Sequence, residues 1–127
     1  MAIINELNLI IGIFNVIFGI FLLVFSLVLI NEKLKMNNWI GFRYKQAYIS
    51  VEAWYKINKY SGQVVLPWSI IAILLGVVFF FLPPINLFFQ YVGIFAPLLI
   101  LIDPTIRSFL YARRYEYVSN KSINSGA

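Results

Sequence analysis

Cysteine and histidine are both missing from this 127-residue chain. Without cysteine there is no disulfide, no thiol nucleophile and no thiolate metal ligand. Without histidine the commonest general base and the commonest metal ligand are gone as well. These gaps argue against an enzyme and against a bound metal, and nothing in the chain asks for a cofactor. Charge is also scarce, at 12% of residues against about 25% in soluble domains. Residues 1–6, MAIINE, hold no lysine or arginine, so they do not read as the positive leader of a secretory signal.

What fills the chain instead is apolar. Hydrophobic residues make up 61%, and mean hydropathy is +0.85. So small a chain cannot hide that much apolar surface from water by folding on itself, and the bilayer is the solvent that fits. The reading is a single membrane domain over 1–127, with spans at about 7–30, 64–82 and 85–102. A polar loop occupies 31–63, and a basic helix and tail follow over 103–127. The expected fold class is all-α: an integral membrane three-helix bundle with a cytoplasmic amphipathic loop helix and an amphipathic C-terminal helix. The first block, 24 residues long, rises about 36 Å as a helix and crosses a core of about 30 Å with some tilt.

Each span carries one polar or small-residue stripe. In the first it is Asn8, Gly12, Asn15, Gly19 and Ser26. In the second it is Ser69, Ala72 and Gly76, and in the third Asn86, Gln90, Gly93 and Pro97. In lipid, small residues let backbones approach, and amide side chains bond across to a neighbouring helix. The stripes are read as packing seams rather than as a polar pathway. Pro67 and Trp68 are placed at the start of the second span, the proline in its first turn. Pro83-Pro84 is read as its end, leading into a tight antiparallel hairpin with the third. Pro97 leaves a backbone carbonyl that needs a neighbour or water. Asp103-Pro104 reads as a cap and restart of a new helix rather than as an ion site.

Charge sets the orientation. All ten lysines and arginines lie in the loop or after the third span: Lys33, Lys35, Arg43, Lys45, Lys56, Lys59, Arg107, Arg113, Arg114 and Lys121. The positive-inside rule then places the loop and the C-terminus in the cytoplasm and the N-terminus outside, in a cell membrane. The net charge of +5 lies beside membrane segments, which assigns it to topology and anionic headgroups rather than to nucleic acid.

The loop is where glycine, arginine, tryptophan and acid occur together. Ser50 is placed as the cap of a short helix over Val51–Ser61, with Glu52 and Lys56 paired one turn apart and Gly62 as a left-handed stop. Trp54, Asn58 and Gly62 follow one line, and Trp54 is read as an anchor on the inner leaflet. Asn37, Asn38 and Gly41 suggest a turn that presents Arg43. That guanidinium either binds phosphate or carboxylate or pins the loop by pairing with Glu52 or a helix C-terminus.

These residues resemble the signature of the SdpI family of membrane proteins. Asn37 or Asn38, Gly41, Arg43, Ser50, Glu52, Trp54, Asn58 and Gly62 look like that signature, and Arg43, Trp54, Asn58 and Gly62 stand at its offsets. The arrangement of one span before the motif and two after it is similar too. Tyr44 and Ala47 depart from the pattern, which often has threonine there. The resemblance is to the C-terminal half of the longer members. It implies a small membrane protein that gives immunity to a secreted peptide toxin or draws a cytoplasmic regulator to the membrane. The alternative is an accessory subunit of a larger membrane complex or a self-associating bundle, using the phenylalanines of Val77–Phe81 and Phe88-Phe89. A small-solute transporter stands behind both, because three spans leave little room for a path.

Overall fold

A computed structural model of the chain describes residues 2–83 and 86–126, with side chains from Glu6 onward. It holds three long helices, α1 (Ala2–Ile30), α2 (Val51–Phe81) and α3 (Leu87–Ser125), and a short 3-10 turn at Lys45–Tyr48. Each long helix is long and apolar enough to cross a membrane. The molecule is an all-α, multi-pass membrane bundle. Pro84 and Ile85, placed at the turn between the second and third spans, lie outside the described residues.

Helices α1 and α2 pack most closely, because glycines face each other. A Cβ on Gly12 would sit 2.8 Å from the Gly76 carbonyl oxygen, and one on Gly76 would sit 2.6 Å from that of Gly12. No side chain fits in either gap. Farther along the same pair, Ser26 Oγ donates to the Gly62 carbonyl. Asn8, Gly12, Asn15, Gly19 and Ser26 are all buried on α1, as are Ser69, Ala72 and Gly76 on α2 and Gln90, Gly93 and Pro97 on α3. Their neighbours Ile17, Phe21 and Val24 face outward.

Amides stitch α3 to α1. Gln90 Nε2 donates to Asn8 Oδ1 at 3.2 Å, and Asn8 Nδ2 donates to the Pro83 carbonyl at 3.2 Å. Asn15 Nδ2 donates to the Gly93 carbonyl at 3.0 Å. That carbonyl is the one Pro97, four residues on, cannot reach because proline has no N–H. The acceptor freed by Pro97 is therefore taken by a side chain of another helix, as backbone in a bilayer requires.

Several helix ends differ from the sequence expectation. Asn86 is exposed and caps α3, its Oδ1 accepting from Phe89 N at 3.2 Å, so it does not join the seam. Pro67 lies in the middle of α2 rather than in its first turn. Gly62 is not a helix stop. Helix α2 runs through it without a break, because Gly62 is where α1 comes close: a Cβ there would meet the Ser26 carbonyl oxygen at 2.8 Å. The loop helix and the second span are thus one helix. Asp103-Pro104 does not restart a helix either, since α3 is continuous to Ser125. Asp103 instead accepts from Trp68 Nε1 at 2.9 Å and from Arg107 Nε at 2.9 Å. The basic C-terminal segment is accordingly an extension of α3. Its buried side, Pro104, Ser108 and Ala112, is small enough to pack against the loop and α2.

Helix α1 ends in a paired-bond cap. Lys33 N donates to the Val28 carbonyl and Glu32 N to that of Leu29, with Glu32 in the left-handed region at φ 56°. This is the Schellman arrangement, in which glycine is the usual residue.

Candidate functional site

The loop after α1 is ordered by a few polar side chains. Asn37 Oδ1 accepts from Trp39 N at 2.8 Å and Ile40 N at 2.7 Å, and its Nδ2 donates to the Lys35 carbonyl at 2.8 Å. One asparagine thus ties a turn that backbone pairing alone would leave open. Tyr48 Oη closes the turn from the far side by donating to the Asn37 carbonyl at 2.7 Å. Gly41 follows at φ +110°, where a side chain is strained; a Cβ there would also meet Asn58 Oδ1 at 3.0 Å and Trp54 Cη2 at 3.3 Å.

On α2 the line Trp54, Asn58, Gly62 is the spine that receives this loop. Trp54 is fully buried, and its Nε1 donates to the Leu34 carbonyl at 2.9 Å. Its ring meets that of Tyr48, centroids 5.5 Å apart. Asn58 Oδ1 accepts from Phe42 N at 2.8 Å while Nδ2 donates to the Trp54 carbonyl at 3.0 Å. Gly62 lets α1 in. The tryptophan holds the start of the loop, the asparagine its middle, and the glycine the helix it leaves from. Trp54 is therefore not a leaflet anchor: its indole has no exposed surface and spends its donor on the chain's own backbone.

Arg43 is exposed, and its Nη1 donates to the Asn38 carbonyl. It does not pair with Glu52. That acid bonds Lys56 at 2.8 Å one turn on, with both side chains more than half exposed, a geometry that contributes little. Ser50 caps α2, its Oγ accepting from Ala53 N at 3.0 Å. Of the motif side chains, Asn38, Arg43, Ser50 and Glu52 remain at the surface, and Arg43 is the only cation among them.

The loop also locks onto α3 through residues the sequence reading did not single out for that role. Tyr44 Oη donates to the Thr105 carbonyl at 3.0 Å, and its ring meets the edge of Phe109. Burial pushes the Tyr44 hydroxyl above its ordinary pKa. Ala47 is fully buried in a cluster with Trp54, Ile57 and Ala112. The two positions that depart from the threonine pattern are thus the ones that touch or face α3. Gln46, buried beside them, donates to Glu116 Oε2 at 3.1 Å. A separation of 70 positions in the chain left no local signal of this pairing. Tyr60 and Tyr111 stack at 4.1 Å across α2 and α3. Among the described residues no three acidic side chains converge on a metal site. Of the exposed motif side chains, the Arg43 guanidinium is the group able to take a carboxylate or phosphate.

A family model described as the SdpI/YfhL protein family matches residues 33–106. No curated protein and no solved structure matches the chain. The matched segment opens just after α1, takes in the whole pinned loop and all of α2, and closes where α3 leaves its apolar stretch. With more than half of its residues in that match, including each motif position from Asn37 to Gly62, this chain belongs to the SdpI/YfhL protein family.

Proposed function

We propose that this protein sits in the cell membrane with its N-terminus outside and its loop and C-terminus in the cytoplasm. It acts there without catalysis, as a docking surface. It gives immunity to a secreted toxic peptide or relays a signal by binding a cytoplasmic regulator. The observation that carries this reading is the division of labour within the motif. Gly41, Trp54, Asn58 and Gly62 are consumed in fixing the loop, while Arg43 stands on that frame with most of its donors facing out. A pre-organised arginine suits recognition of an anionic group, because little freedom is lost on binding. Arg43→Ala should abolish protection or recruitment in cells while the protein stays inserted at its normal level. Full activity of that variant would overturn the reading.

The accessory-subunit reading has its own support. Phe81, Phe88 and Phe89 are exposed at 82%, 68% and 53%, around the α2–α3 connection and away from the loop. On that reading Arg43→Ala remains active, and gentle solubilisation of native membranes brings a partner along.

A further inference from the structure

The loop carries an apolar tip that the docking site above leaves unused. Trp39 is 85% exposed, more than any other large hydrophobic side chain among the described residues, and Ile40 beside it is 55% exposed. This is a built feature, since Asn37 Oδ1 accepts from the N–H of both residues. The turn that holds their backbones turns their side chains outward.

The height of this tip follows from its neighbours. Phe42 packs against the bundle cluster of Leu22, Val65 and Ile100. Gly41 lies against Asn58, one turn beyond Gly62 on α2. One turn of helix is about 5 Å. Gly62 lies against Leu29 and Ile30 at the end of α1, so Gly41 stands about one turn past that end, at a depth that suits a headgroup layer about 5–8 Å deep on each side of the hydrocarbon. Tryptophan is enriched at that depth because its ring is apolar while its N–H seeks a polar partner. Cations flank the tip. Lys35 is exposed before it, and Arg43 is held to the Asn38 carbonyl after it. A charge such as that of Lys35 sits among phosphates and keeps the tip from sinking deeper.

We propose that Trp39 and Ile40 form an interfacial anchor, inserted into the headgroup layer of the leaflet on the loop side, and that the bilayer itself covers this exposed tip. The proposal does not depend on what, if anything, Arg43 binds as a partner.

The absence of cysteine makes the test direct. A nitroxide on Ile40→Cys, with Trp39 intact, is measured in phospholipid vesicles for its accessibility to oxygen relative to a water-soluble nickel complex. The ratio should lie severalfold above that of a label on Glu52→Cys, at the water-exposed start of α2, and below that of Ile17→Cys on the lipid face of α1. Adding Trp39→Ser should lower the Ile40 ratio toward the Glu52 value. Separately, bromines placed high on the acyl chains should quench the wild-type indole fluorescence more strongly than that of Trp39→Phe. Far-UV circular dichroism checks that each variant keeps its helices. An Ile40 ratio equal to that of Glu52, or equal quenching in wild type and Trp39→Phe, overturns the anchor and leaves the tip to a protein partner.

Discussion

Gly41 is the residue on which the loop turns. Its φ of +110° is a conformation that any Cβ makes costly. Gly41→Ala should cost about 1–2 kcal/mol through that strain, with further loss as the added methyl presses on Asn58. Hydrogen exchange should rise at Phe42 N, whose acceptor is Asn58, while the spans stay protected. A second residue-scale test concerns Asn15 and Pro97. Asn15 serves a carbonyl that Pro97 leaves open. Asn15→Ala should cost on the order of 1 kcal/mol in the wild-type background. It should cost less in Pro97→Ala, where the Gly93 carbonyl regains a donor within its own helix. A double-mutant cycle in detergent unfolding reads this coupling. The stripe containing Asn15, and the need created by Pro97, were both readable from spacing. That one answers the other was not, because no local rule pairs residues so far apart.

Between elements, the decisive contact is α1 against α2. Gly76→Val should force the helices apart where Gly12 and Gly76 meet, and overpacking of this kind costs about 1–3 kcal/mol. The variant should still insert, since hydropathy governs insertion, yet unfold at lower denaturant. Local signals misled at the helix ends. Gly62 looked like a stop because glycine after an amphipathic stretch usually is one. Pro104 looked like a start for the matching reason. Both are helical because a neighbouring element needs a small or compact residue at that point, and packing overrides weak local preference. Glu32 is the converse case. It holds the left-handed position of a real helix end with no glycine to announce it.

At the scale of the molecule, the bundle holds a loop in place at one end. The one-sided distribution of lysine and arginine leads to an orientation that labelling can check. Lys45→Cys, in a chain otherwise free of cysteine, should react with a membrane-impermeant maleimide only after cells are opened. Reaction in intact cells would reverse the proposed orientation and move the proposed docking surface outside. The family motif then takes on a physical meaning. Gly41, Trp54 and Asn58 fix the loop against α2 and Gly62 admits α1, while the contacts to α3 come from Tyr44, Gln46 and Ala47 outside the motif.

The family resemblance located the motif; composition and period determined that this chain suits a bilayer, that three helices are apolar enough to cross it, and which stripe of each helix is small or polar. Those properties follow from hydropathy and helical spacing, which act residue by residue. Only the tertiary structure decided that Trp54 is interior while Trp39 is outside, that two proposed breaks are continuous helix, and that Tyr44 and Gln46 tie the loop to α3. Burial of an indole or satisfaction of an amide depends on which distant backbone arrives beside it, and that is a property of the packed bundle.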